Sequence, residues 1–147
     1  MRLLILPALA LTALFLVACG DSGEGGKIEV TLTEWEISID KDSVPRGPIE
    51  FTIKNDGDET HEFVVIKTDI AADELETTDD GSVDEDAPDI DVKQEVEDIE
   101  SGDKTGRTYE LDAGSYVLIC NIVDEEDGET ESHYENGMRQ GLAVEEK

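Results

Sequence analysis

The chain contains two histidines, two cysteines and two methionines. Met1 and Cys19 lie at the N-terminus, which leaves His61, Cys120, His133 and Met138 in that order along the sequence. Two imidazoles, a thiol and a thioether form a metal donor set. The soft thiolate and thioether favour Cu(I), and imidazole holds copper in either oxidation state. Taken singly, each residue has an ordinary reading: a hydrogen-bonded histidine, a small buried cysteine, a methionine filling the core. Residues this scarce falling in ligand-like order point to one mononuclear copper site. Zinc is the alternative, since a His2Cys set accepts it, and such a site would be colourless and redox-silent.

The segments that must position these groups read as strands. Ile28, Val30 and Leu32 alternate with polar residues, Trp35 to Ile39 and Ile49 to Ile53 do the same, and Arg107 to Leu111 also reads as a strand. Phe63 to Ile66 is a continuous apolar run, expected to be buried on both faces. Further strands are expected at Glu95–Ile99, Ser115–Ile119 and Gly141–Val144, with turns at Val44–Pro48, Asn55–Asp58, Ser101–Asp103 and Asp112–Gly114. Seven to eight short strands make an all-β sandwich the expected fold. Residues 69–92, rich in Asp and Glu, read as a long mobile surface insertion with one helical turn near Ala71–Leu75. Residues 124–131 (DEEDGETE) read as a second acidic loop. The acidic spacing in the insertion fits no EF-hand calcium loop. Trp35, Phe51, Phe63 and Tyr116 are expected in the core.

Residues 1–18 read as a secretory signal, with Arg2 as the charged end and Leu3 to Val17 as the apolar stretch. The segment is short for a membrane span. Leu16-Val17-Ala18-Cys19 resembles a bacterial lipobox, which implies cleavage before Cys19, lipidation of that cysteine, and a flexible tether over residues 19–26. An ordinary signal with an incidental cysteine is the alternative. The lipid would hold the domain, residues 27–147, at the outer face of the cytoplasmic membrane, in the periplasm or at the cell surface. Asp21 resembles an inner-membrane retention signal of double-membrane bacteria. With Cys19 lipidated, Cys120 is left without a disulfide partner, and an extracytoplasmic free thiol calls for an explanation such as metal ligation. The net charge of −28 excludes nucleic-acid binding, because phosphate would be repelled. Acid spread along the whole chain fits a solvated surface suited to high salt, with attraction of a cationic redox partner as the competing reading.

Two motifs carry a family resemblance. The first is Asn55-x-Gly57-x-x-x-His61-x-Phe63-x-Val65. The second is Leu111-x-Ala113-Gly114-x-Tyr116-x-x-x-Cys120, followed by His133-Tyr134-x-x-Gly137-Met138 and Leu142-x-Val144. Together they resemble the cupredoxins, the plastocyanin and azurin family, over nearly all of residues 27–147. The resemblance implies a Greek-key β-sandwich with copper held by His61, Cys120, His133 and an axial Met138. It departs from the family at one point, since Asn121 to Ser132 separate Cys120 from His133 where a few residues are usual. Lengthening a surface loop costs only ~0.6 kcal/mol per doubling, so the site can still close. A looser, wetter site is the expected risk. Asn121 is expected to brace the loop beside the ligands, and Tyr134 to cover the site.

The expected function is a lipid-anchored carrier of single electrons serving respiratory-chain redox proteins. The competing readings are a copper storage, delivery or sensing module, and a metal-free interaction domain of the same shape. No GxSxG, HExxH or P-loop pattern is present, and two histidines are too few for a multicopper oxidase, so an enzyme is not expected.

Overall fold

The computed structural model describes residues 23–126 and 128–147. The signal segment, the lipobox and Cys19 lie outside the described residues. Two sheets face each other. The first runs in the order β2 (Glu36–Ile39), β1 (Gly26–Thr33), β4 (Gly47–Asn55), β7 (Lys104–Leu111), with β1 and β4 parallel. The second runs β3 (Ser43–Pro45), β11 (Arg139–Glu145), β8 (Gly114–Ile119), β5 (His61–Lys67), β6 (Asp91–Ile99). The fold is a β-sandwich, as expected.

Period-2 alternation puts one set of side chains between the sheets. Ile28, Val30 and Leu32 of β1 and Ile49, Phe51 and Ile53 of β4 meet Phe63, Val65, Tyr116, Leu118, Leu142 and Val144. Each such burial is worth ~1.5–3 kcal/mol relative to exposure. The phase of β8 carries through Tyr116 and Leu118 to Cys120, which therefore also faces inward and is wholly buried.

β5 is buried on both faces, as its apolar run required. Phe63 and Val65 enter the inner core, while Val64 and Ile66 join Val117 and Ile119 on the outer face of the sheet. That outer face is covered by the acidic insertion, which corrects the reading of it as a mobile loop. Leu75 and Val83 are 6 % and 3 % exposed in the outer cluster, with Ile70, Ala72 and Ile90 packed against it. A bridge pairs Thr77 with Val83. Few apolar residues suffice, because each falls over the exposed face of β5 and β8. The helical turn near Ala71–Leu75 reduces to one hydrogen-bonded turn, Glu74 N–H to Ala71 O at 2.9 Å. Residues 91 and 92 belong to β6 rather than to the insertion.

The described residues form eleven strands, three more than the sequence patterns indicate. β3 overlaps the start of the segment read as a turn, Val44–Pro48. The other two, β9 (Val123–Glu126) and β10 (Glu129–Ser132), make a hairpin of the acidic stretch read as a loop. Its side chains carry no apolar alternation, so the strand character comes from cross-strand pairing and not from a buried face.

Candidate metal centre

His61 opens β5 immediately after a turn held by a buried amide. Asn55 Nδ2 donates to Glu59 O at 2.7 Å and to Ile99 O at 2.9 Å, while its Oδ1 accepts from Gly57 N–H at 2.9 Å. The Asn-x-Gly spacing allows this closure, because the asparagine side chain satisfies the backbone of its own turn. His61 pairs with Ile99, and an irregularity follows before Phe63.

Cys120 ends β8. The hairpin removes the length problem of the intervening segment: Val123 pairs with Ser132, and His133 N–H donates to Ile122 O at 3.0 Å. The twelve-residue separation therefore closes to a short span at the metal end. Ser132 then caps a single helical turn, α1 (His133–Asn136), accepting from Glu135 N–H at 3.1 Å and donating to Gly81 O at 2.7 Å. The turn ends at Gly137, and Met138 returns with its N–H on His133 O at 2.9 Å and its carbonyl accepting from Cys120 N–H at 3.1 Å.

The turn needs glycine at 137. Its φ is +132°, and an added Cβ would lie 2.7 Å from Trp35 O. Gly137→Ala is expected to cost about 1–3 kcal/mol, read as a lowered chemical-denaturation midpoint with an unchanged slope.

These elements bring three of the four expected donors together. His61 Nδ1 lies 3.2 Å from His133 Nδ1, and Cys120 Sγ lies 3.3 Å from His133 Nδ1 and 4.0 Å from His61 Nδ1. A triangle with these sides has its centre about 2.1 Å from each corner, a metal–imidazole distance and about 0.2 Å short of a metal–thiolate bond. The donor atoms thus fit a single ion. Met138 is wholly buried in the core cluster that contains Cys120. Glu62 N–H donates to Cys120 Sγ at 3.3 Å, a contact that favours the thiolate.

The opposite edges of both imidazoles meet acid that the sequence reading did not single out. His61 Nε2 is 3.5 Å from Glu34 Oε1, and His133 Nε2 is 3.4 Å from Asp124 Oδ2 and 3.7 Å from Glu59 Oε2. Glu34 is itself held by Asp58 and Glu59 N–H groups at 2.8 and 3.0 Å, and the bond from Glu59 N–H leads in keeping its carboxyl below the usual range. Carboxylates on the Nε2 side favour a proton there and leave the Nδ1 lone pairs free. No sequence signal marked these acids among the chain's many others.

Burial pushes the Cys120 thiol up to about 12. Burial also lowers the pKa of His61, with the neighbouring His133 adding to the effect. The metal-free site therefore carries a protonated thiol beside an imidazole that resists protonation.

The Asn121 side chain, expected to brace its own loop, bonds across to the insertion instead. Its Oδ1 accepts from Val83 N–H at 2.6 Å, and its Nδ2 donates to Val83 O and Glu85 Oε1 at 3.1 and 2.9 Å. Tyr134 packs on the outer face of the sheet with Val64, Ile66, Leu75 and Val83. Its hydroxyl donates to Ala72 O at 2.8 Å and accepts from Leu75 N–H at 3.1 Å. The aromatic ring against the donors is instead Trp35, edge-on to His133 at 5.4 Å between centroids. Trp35 thus leaves the expected core. It shares the odd-numbered phase of Ile37 and Ile39, and only its φ of +68° swings it out of line.

Glu62 has a separate consequence. Burial raises its pKa from 4.5 to about 7, while its Oε1 accepts from Asn121 N–H at 2.6 Å. In the metal-free chain the folded state then holds a proton that the unfolded state releases between pH 4.5 and about 7. Stability from this group is present below that window and lost as pH rises through it. Glu62→Gln is expected to flatten the fall, read as denaturation midpoints of metal-free protein at pH 5 and pH 8.

Comparison with known proteins adds to this picture through structure alone. No protein-family profile and no curated protein sequence matches the chain. A dithionite-reduced auracyanin from Roseiflexus castenholzii is 22% identical, with a TM-score of 0.54 over 81% of this chain and 96% of that one. Auracyanin A, described as a "blue" copper protein of Chloroflexus aurantiacus, is 20% identical, with a TM-score of 0.51 over 82% and 99%. Rusticyanin from Thiobacillus ferrooxidans is 14% identical, with a TM-score of 0.55 over 81% and 77%.

Proposed function

From the premise that this chain has the cupredoxin fold, the sandwich it shares with auracyanin and rusticyanin, we propose that it is a copper-binding carrier of single electrons. The observation that carries the reading is the donor triangle at the pole of the sandwich, two Nδ1 atoms and a thiol spaced for one ion. His61, Cys120 and His133 hold the copper, and Met138 is the weak fourth ligand. Copper, when bound, supplies a one-electron couple between its cupric and cuprous forms. The chain does the rest. A mixed set of soft and imidazole donors suits both forms moderately. The bonds that close the His133–Met138 turn and fix Asn55 hold the donors in place, so little has to move when the charge changes. All four side chains are 0 % exposed, which keeps water off the site.

In this reading Cys19 carries lipid and tethers the domain outside the cytoplasmic membrane, within reach of respiratory redox proteins. The tether raises the effective concentration of the carrier at its partners. Storage or delivery fits less well, because handing over an ion needs a ligand edge open to the recipient, and here every donor side chain is enclosed.

The test is the visible spectrum of the full chain loaded with Cu(II), followed by cycles of reduction and reoxidation. An intense thiolate-to-copper band that returns on reoxidation is the expected result. Copper bound without the band, or reduced at once and not reoxidised, favours storage or delivery. Stoichiometric binding of zinc with no retention of copper makes the site a zinc site. No stoichiometric metal leaves an interaction domain.

A further inference from the structure

We propose that the Trp35 indole is the port through which electrons enter and leave the metal centre. This rests on the electron-carrier reading above and names the residue that connects the buried site to the surface. His61, His133, Cys120 and Met138 are each 0 % exposed, so no proposed ligand offers an edge to a partner. An electron must therefore cross whatever covers them. Among the described residues, Glu34, Glu59 and Asp124 lie around the histidine edges, with one aromatic ring besides the histidines themselves, Trp35. Carboxylates offer poor electronic coupling. The indole meets the His133 ring edge-on, with centroids 5.4 Å apart and planes at 86°, and is itself only partly buried.

The backbone holds the ring there at a cost. Trp35 sits in the two-residue turn between β1 and β2 with φ +68°, a left-handed conformation that bulky residues rarely adopt. Its carbonyl lies so close to Gly137 that no Cβ fits between them. The turn before Met138 and the turn bearing Trp35 are thus packed against each other. Strained backbone against a proposed metal ligand is a feature that packing alone does not call for. A smaller residue, or glycine, would make the same turn with less strain.

In the proposed step a one-electron donor at the surface is oxidised, cupric copper is reduced to cuprous, and the reverse follows with an acceptor. Trp35 gains and loses nothing in net, since its π-system only couples the two centres. Efficient coupling falls steeply with distance, so a ring in contact with a ligand outperforms a saturated side chain in the same space.

The experiment compares copper-loaded parent with Trp35→Phe, Trp35→Leu and Trp35→Met. Oxidation of the reduced protein by ferricyanide and by a cationic cobalt complex is followed by stopped flow. The thiolate-to-copper band and the reduction potential are recorded alongside. Leu and Met are expected to keep band and potential yet slow both reactions by about tenfold or more, equal to about 1.4 kcal/mol of barrier. Phe is expected to stay close to the parent. Two oxidants of opposite charge separate the port from simple steering by surface acid. Trp35 is also the chain's single tryptophan, so its fluorescence reports contact directly, with strong quenching on Cu(II) loading and little on Zn(II) loading. Rates within about twofold of the parent in Leu or Met, or equal fluorescence with either metal, would overturn the proposal. So would loss of the band in both variants, which assigns Trp35 to packing. A parent that never shows the band fails the carrier reading instead, before any variant is compared.

Discussion

Cys120→Ser is expected to erase the thiolate-to-copper band and to weaken Cu(I) binding by more than the ~100-fold that loss of an outer-sphere partner costs. The serine hydroxyl is a harder donor and stays protonated, so the triangle keeps its imidazole corners but loses its soft one. The fold should survive. The thiol is buried without a disulfide, its backbone N–H is still bonded to Met138 O, and serine is close to cysteine in volume. Visible absorption and a competition titration against a Cu(I) chelator read both effects. Met138→Leu is the paired control: the band is expected to persist, while the reduction potential is expected to shift, because the thioether proposed as a weak fourth donor would be gone. A band that survives in Cys120→Ser, or disappears only in Met138→Leu, would remove the thiolate from the centre.

Metal uptake should also release a proton. The metal-free thiol is pushed up to about 12, so the thiolate that binds an ion at neutral pH must first lose its proton. Apparent affinity is therefore expected to rise with pH across the neutral range in the parent, and to lose most of that slope in Cys120→Ser.

The second large effect lies outside the donor set. Tyr134→Ala is expected to destabilise the metal-free protein by about 3–5 kcal/mol, the range for emptying a buried aromatic site. Tyr134 is 3 % exposed in the outer cluster, and its hydroxyl ties Ala72 and Leu75 of the insertion to the turn that carries His133. Removing it opens a cavity and frees the two backbone groups together. Tyr134→Phe isolates the polar share, about 1–3 kcal/mol for leaving the Ala72 carbonyl and the Leu75 amide unpaired. Chemical denaturation gives the totals, and faster hydrogen exchange at Leu75 locates them. Faster loss of metal from Tyr134→Ala would show that the insertion braces the site. Asn121, which bonds Val83 and Glu85, provides the second tie between insertion and site.

Much of the architecture was legible in the chain because it is local. Strand alternation follows from the pleat, which sends successive side chains to opposite faces, so the apolar phase of β1, β4 and β8 identified the inner face. The same phase placed Cys120 inside. The identities of the scarce donors and their order needed no structure. The continuous run in β5 already required cover on both sides, although nothing local said what would cover it.

Proximity across the fold was decided by tertiary structure. The acidic stretch 124–131 lacks apolar period, so its hairpin is visible only in the pairing that draws Cys120 and His133 together. The insertion looked too polar to pack, because its few apolar residues count only when they land on an existing apolar sheet face. Trp35 continues the alternation of β2, which predicts a core position; its own left-handed conformation in the preceding turn puts it against His133 instead. Glu34, Glu59 and Asp124 are indistinguishable in sequence from the rest of an acidic chain, and long-range folding alone selects the three that face the imidazoles. The sequence by itself determined which donors exist and which way each strand faces, since those follow from residue chemistry and a two-residue period. Only the tertiary structure decided what surrounds the donors, since contacts between distant segments carry no local period.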